Sequence, residues 1–283
     1  MSLWQAPVLV ALDSGSVAGA RVSRGLGGRR VQSTACVALA PGVLAPSPHE
    51  PNLRLPDDVG AALGQVVRTL GAAGARVRAL LPDGIARIAL LPADDAAVDP
   101  AEYARYRLAS SLPYPAREAV VQAERVGDGR VLAAVAWRTV IAEYEAALAS
   151  AGLGPATIDL TPLAALGALR ADVRGLPAAA LIVLGDAAYS LALHVGRRLR
   201  VVRNRRRDRT GDEASRLARE VERAARLCSF PDRVAVRLVG PGAGALAREM
   251  AAAGLAAEPG WQIDAGGLAL EAAELGWLGG ALA

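Results

Sequence analysis

The chain has 283 residues, 53% of them hydrophobic and 4% aromatic, and all 32 of its basic residues are arginine. The missing lysine excludes a GxxxxGK(S/T) phosphate loop, a Schiff-base lysine and the phosphate-pairing lysine of protein kinases, since each needs an ammonium on a flexible stem. A net charge of +4, with 28 acids set against the arginines, is too small to argue for a nucleic-acid partner.

Cys36, Cys228, His49 and His194 stand singly, without CxxC or HExxH spacing. Neither a zinc site nor a disulfide framework is expected, and the thiols read as buried and reduced. The apolar fraction supplies a core for one large or two ordinary domains. The longest apolar run, Ala178–Leu184, is cut by Gly185 and Asp186 and falls short of the roughly 18–20 residues of a membrane span. With no basic leader, and with Asp13 interrupting the first apolar stretch, the chain reads as cytoplasmic.

Pro7–Asp13, Val17–Arg24 and Arg30–Leu39 are separated by small-residue turns and predict three strands. Ala40–Pro56 holds five prolines and reads as a loop. Val59, Leu63, Val66 and Leu70 then recur at helical spacing behind Asp57 and Asp58, which suit the positive end of a helix dipole. Arg76–Leu81 and Ile85–Leu91 predict two strands about the turn Pro82-Asp83-Gly84. Asp99, Pro100 and Glu102 form a helix start, and Leu112-Pro113-Tyr114-Pro115 ends that helix. Ala119–Val126 and Arg130–Arg138 predict a hairpin about Gly127-Asp128-Gly129, followed by a helix over Val140–Ala149. Residues 76–152 thus read as one β-β-α-β-β-α block.

After Thr157–Leu160 and a helix over Pro162–Arg170, the segments Ala178–Gly185, Ser190–Val195 and Leu199–Asn204 repeat the three-strand opening. Thr210 and Glu213 form a capping box for a helix whose apolar stripe is Ala214, Leu217, Val221, Ala224 and Cys228. Val234–Val239 reads as a buried strand running into Gly240-Pro241-Gly242-Ala243-Gly244 and a helix over Leu246–Ala253, with a last helix after Gly266-Gly267.

Three small-residue turns follow apolar strands: Asp13-Ser14-Gly15-Ser16, Gly185-Asp186-Ala187-Ala188 and the glycine cluster at 240–244. Such turns can seat a phosphate on backbone amides, although packing alone also produces them. Asp13 is either a metal-side acid or the cap of its own turn. Arg197, Arg198, Arg200, Arg203, Arg205, Arg206, Arg207 and Arg209 gather on one hairpin, which suits phosphate, an acidic partner or a solvated edge. No aromatic is interleaved to stack bases. Ser14 and Ser16 lack the His and Asp pattern of a nucleophile, His194 reads as a core or edge residue, and Trp4, Trp137, Trp261 and Trp277 read as packing anchors.

The order of these segments resembles the actin-like, ribonuclease H-like α/β fold, in which duplicated βββαβα halves enclose a nucleotide cleft. Within that fold the chain resembles the PilM-like proteins of type IV pilus assembly and the cytoplasmic part of the type II secretion protein GspL. The resemblance is carried by Val10–Val17, by Leu91-Pro92 before a helix ending in Leu112-Pro113-Tyr114, and by Ala151-Gly152-Leu153 with Ile158-Asp159-Leu160. It continues through Leu181–Gly185, Arg203, Leu238–Gly242 and Gly267–Leu270. It implies that residues 1–75 begin domain I, that 76–152 are an inserted small α+β subdomain, and that 153–283 form domain II with a reduced adenine-covering part. A nucleotide, if bound, would meet Asp13, Ser14, Gly15, Ser16, Gly185, Gly240 and Gly242.

Departures from the family pattern argue against catalysis. Val183 stands where the family has an acid two positions before Gly185, only about one helix fits between Arg209 and Arg233, and no lysine exists to hold a ribose. The expectation is a degenerate actin-like scaffold with no catalytic residue, metal or cofactor, for which ATP and Mg²⁺ are at most weak ligands. The partner that the resemblance implies is the N-terminal cytoplasmic peptide of a PilN-like inner-membrane protein, held in a groove between the first subdomain and the insert. An assembly ATPase or other platform proteins are further contacts, no specific nucleic acid is expected, and oligomerisation stays open. The place implied is cytoplasmic, beneath the inner membrane and reached through protein partners. A GspL-like secretion component and an active actin-like ATPase are the alternatives.

Overall fold

The computed structural model describes residues 8–25, 28–93, 98–172, 176–209, 211–230, 234–255 and 257–259. In chain order the first half contains β1 (Val8–Asp13), β2 (Ser16–Gly25), β3 (Gly28–Ala38), α1 (Pro56–Leu70) and β4 (Arg76–Leu81). Then come β5 (Ala86–Pro92), α2 (Pro100–Leu108), β6 (Ala119–Gly127), β7 (Arg130–Trp137), α3 (Arg138–Ser150), β8 (Gly154–Leu160) and α4 (Thr161–Asp172). The second half contains β9 (Ala178–Leu184), β10 (Ala188–Val195), β11 (Arg198–Arg206), α5 (Glu213–Leu227), β12 (Ala235–Val239), α6 (Ala243–Ala252) and β13 (Ala257–Pro259).

Two five-stranded sheets follow one plan. The first has the order β3-β2-β1-β4-β8 and the second β11-β10-β9-β12-β13. In each, an antiparallel meander is extended by parallel strands beside the central one, β1 with β4 and β9 with β12. Strands paired on both sides and covered on both faces need continuous apolar sequence, which VLVALD and AAALIVL provide; every residue of β9 is buried. Helix α1 lays Val59, Leu63, Val66 and Leu70 on the first sheet and closes at Gly71, whose φ is +58°. The proline-rich segment before it is pinned by Asn52, which is fully buried. Its Nδ2 donates to the carbonyls of Ser47 and Glu50, and its Oδ1 accepts from the Tyr144 hydroxyl on α3.

The expected 76–152 block is divided between two layers. Strand β4 pairs in parallel with β1, and α3 puts Val140, Tyr144 and Leu148 into the first core. What remains is a separate sheet of order β5-β7-β6, covered on one face by α2 through Ala104 and Leu108. Asp99 caps α2, its side chain accepting from the amides of Ala101 and Glu102 at 2.9 Å. Trp137 stacks on Tyr114 with centroids 5.8 Å apart, whereas Trp4, Trp261, Trp277, Thr210 and the last expected helix lie outside the described residues.

The tip of this inserted sheet is docked on the second half. Asp128, in the β6–β7 turn, pairs with Arg198 and Arg200 at 3.1 Å each, and Arg130 donates to the Arg200 carbonyl at 3.3 Å. The cysteines depart from expectation: Cys36 is exposed and Cys228 partly buried, and neither is in a disulfide. Strand β3 is the outer strand of its sheet; Val31 on it is buried, whereas Cys36 is exposed. Among the described residues no helix is long and apolar enough to cross a membrane.

The placement of α3 is testable. Leu148 is fully buried in the first core. Leu148→Ala should therefore lower unfolding free energy by about 2–5 kcal/mol in a urea titration. A cost under about 1 kcal/mol would mean that α3 is a surface element of the insert.

Candidate functional site: a cleft closed from within

The turns after β1 and β9 face each other, with the glycine turn after β12 beside them. They line a cavity of about 310 Å³ that includes Asp13, Gly15, Asp83, Val183, Gly185 and Gly240. This is the carboxyl end of the central strands, where open α/β sheets place ligands.

Amides of the first two turns that could meet a phosphate are already engaged. The Gly15 amide donates to Asp186 Oδ2 at 3.0 Å, and the Asp186 amide donates back to Asp13 Oδ2 at 3.2 Å. Asp13 Oδ1 accepts from the Ser14 amide at 2.7 Å, so Asp13 caps its own turn. Asp186 is in addition ion-paired with Arg209. A Cβ at residue 15 would lie 2.5 Å from Asp186 Oδ2, so the glycine is what permits this approach.

The remaining predicted turn residues have packing roles. Gly185 donates to the Ala188 carbonyl at 2.8 Å, and its own carbonyl accepts from Arg207 Nη1 at 2.8 Å. Arg207 also donates to the Pro241 carbonyl at 2.9 Å and pairs with Glu213 at 2.6 Å, with only 4% of its side chain exposed. Gly240 has φ +107°, and a Cβ there would lie 2.0 Å from the Leu184 carbonyl oxygen; Gly242 precedes the first turn of α6. Ser16 begins β2 on the cavity wall, and Ser14 lies within the Asp13 turn.

Two acids not expected at the site converge on it. Asp186 stands in the turn that duplicates Asp13-Ser14-Gly15, a parallel that could have marked it. Asp83, in the β4–β5 turn, accepts from Ser190 Oγ at 3.0 Å, and Ser190 Oγ accepts from Asn204 Nδ2 at 3.1 Å. Burial, with the nearby Asp13 charge, pushes Asp83 up to about 7, against the lowering effect of the Ser190 hydrogen bond. Asp13 is also raised, by burial first and by the Asp186 charge second. Val183, at the position where the resemblance calls for an acid, is 2% exposed. Among the described residues no group of three or more His, Cys, Asp or Glu side chains is arranged to hold a metal ion.

The arginine hairpin is largely used internally. Arg198 and Arg200 hold Asp128, Arg203 holds Glu220, Arg207 holds Glu213 and Arg209 holds Asp186. These neutralised pairs leave Arg197, Arg205 and Arg206 as exposed members of what the sequence presents as a basic patch. His194 is buried on β10. Between β11 and β12 a single helix, α5, is found among the described residues.

Duplicated sheets around such a cleft define the actin-like fold. A chain of the PilM-PilN type IV pilus biogenesis complex is similar over 97% of this chain and 97% of its own, with a TM-score of 0.73 and 18% identity. The cytoplasmic domain of EpsL, an inner-membrane component of the type II secretion system of Vibrio cholerae, matches 83% of this chain and 82% of its own, with a TM-score of 0.52 and 10% identity. A Bacteroides thetaiotaomicron protein with an actin-like ATPase fold covers 87% of each chain, with a TM-score of 0.54 and 10% identity. No family model and no curated protein matches the sequence. The fold is therefore actin-like, in the form seen in the pilus complex.

Asp83 makes stability depend on pH. Its folded value, about 7, lies above the ordinary 3.8, so its stabilising contribution is complete below about pH 4 and is lost as pH rises through 7. Relative to Asp83→Asn, the wild type should lose up to roughly 4 kcal/mol between those limits. Parallel pH profiles of unfolding free energy for the two proteins would contradict the assignment.

Proposed function

We propose that this protein is a non-hydrolysing scaffold of a type IV pilus assembly platform, holding the extended N-terminal segment of a PilN-like inner-membrane protein. The observation that carries this reading is a groove of about 330 Å³ between β8 and the face of the inserted sheet opposite α2. Thr157, Ile158 and Leu160 of β8 form one side; Val120, Ala134 and Ala136 of the insert form the other. Strands β8 and β6 are both outer strands of their sheets. An outer strand offers unpaired backbone groups to which an extended segment can add, with pockets for alternate side chains. The fold likeness to a chain of a PilM-PilN complex supports this choice of partner. Such a partner would hold the protein peripherally at the membrane.

The cleft supports the non-hydrolysing part. Its turn amide is given to Asp186, and Asp13 is engaged by the amides of Ser14 and Asp186. Evicting Asp186 would cost a nucleotide the charge-assisted contacts that the carboxylate now makes.

Calorimetric titration with a synthetic peptide of the cognate PilN-like protein's cytoplasmic N-terminus should saturate. Ala134→Trp, which fills the groove, should weaken that binding at least about tenfold, or about 1.4 kcal/mol, while leaving the thermal unfolding profile cooperative. Absence of wild-type binding would overturn the peptide reading. Titration with ATP and Mg²⁺ should show no micromolar site; micromolar binding abolished by Asp13→Ala would overturn the degenerate-cleft reading.

A further inference from the structure

A larger cavity, of about 580 Å³, adjoins the groove and shares Gln122, Ala134, Asp159 and Leu163 with it. Three parts of the molecule build it. The insert supplies Gln122, Glu124 and Leu132; the first half supplies Arg78, Asp159 and Leu166; the second half supplies Ala192, His194, Leu199 and Val202. The strand register explains the continuity. Val120 lies opposite Ala136, Gln122 opposite Ala134 and Glu124 opposite Leu132. These pairs fall on one face of the insert sheet at a spacing of two residues, so a single strip of side chains floors both the groove and the chamber.

Outside the Arg78–Asp159 pair, the charged side chains along that strip are both acids, Glu124 and Glu145. Glu145 borders the groove and Glu124 lies in the chamber, while Asp159, where the two cavities join, is neutralised. Arg78, the guanidinium on this path, is already paired with Asp159 at 2.6 Å. Glu124 and Glu145 are exposed. The remaining walls are mainly apolar, and each cavity is of the size that encloses a ligand of several residues' bulk. An anionic occupant is disfavoured by this arrangement, and an apolar segment bearing positive charge is favoured.

We propose that the partner's segment continues from the groove into this chamber, and that the segment it fits is extended, apolar at alternate positions, and carries a basic side chain placed against Glu124. This rests on the peptide-groove reading above. Because Leu199 and Val202 of β11 close the chamber, an occupant touches the insert and both halves at once. The Asp128 pairs with Arg198 and Arg200 already hold the insert tip on β11, and the bound segment adds a second tie across the same junction.

The test uses the same synthetic peptide and three variants of the full chain. Val120→Trp fills the groove, Leu199→Trp fills the chamber from the second half, and Glu124→Arg reverses the exposed charge. Each should weaken binding at least about tenfold. Wild-type affinity should fall with added salt, and that dependence should flatten in Glu124→Arg. If Val120→Trp abolishes binding while Leu199→Trp and Glu124→Arg stay within about twofold of wild type, the segment stops in the groove and this proposal fails, with the groove reading intact. If the wild type does not bind, both fail. Should Leu199→Trp not fold, Glu124→Arg and the salt dependence decide alone: an unchanged affinity and an unchanged salt slope overturn the proposal.

Discussion

The reciprocal contact between the turns after β1 and β9 is the constraint on which the cleft depends. The Gly15 amide reaches Asp186, and the Asp186 amide reaches Asp13, so each half completes the hydrogen bonding of the other's first turn. A carboxylate accepting a backbone N–H in a partly buried site is a charge-assisted bond, stronger than a neutral one. Opening the cleft would exchange these bonds for bonds to water, a modest net cost. The cleft is consequently a contact between halves as much as a cavity between them.

Arginine chemistry supports that contact from behind. A buried ion pair stabilises only when the remaining donors and acceptors are satisfied. Arg207 meets this condition through Glu213 and the carbonyls of Gly185 and Pro241, joining α5 to two of the three turns. A planar guanidinium with several fixed donors can span these acceptors, which a single ammonium cannot do as well. The arginine-only composition, which at first serves to exclude lysine chemistry, thus has a positive structural use in the second half. The same side-chain type at Arg198 and Arg200 ties the insert to β11.

Much of this fold is legible in the sequence because its signals are local. Buried central strands read as apolar runs at Val8–Asp13 and Ala178–Leu184, and Asp99 and Gly71 act as caps where helical periodicity begins or ends. The sheet to which Arg76–Leu81 belongs was not legible, since a parallel pairing with β1 leaves no mark in the intervening sequence. The site was half legible for the same reason. Asp13 and Gly15 announce themselves by their turn, but the partner of Gly15 lies 171 residues away, and that of Asp83 lies 107 residues away. The arginine hairpin misleads in isolation because its acids sit on the insert, on α5 and in the turn after β9. A groove has no linear signature at all, being the space that β8 and the insert sheet leave between them.

These features divide the molecule's work between two places. The cleft ties the halves together, and in the proposed function the outer strands beyond it offer backbone and an apolar strip bearing Glu124 and Glu145 to the partner. Hydrogen exchange of the backbone amides, with and without the PilN-like N-terminal peptide, tests this division most directly. The account predicts that saturating peptide slows exchange in β6, β8 and β11 while the amides of Gly15 and Asp186 are unchanged. Protection confined to the turns at Asp13, Gly185 and Gly240, with none in β6 or β8, would contradict it.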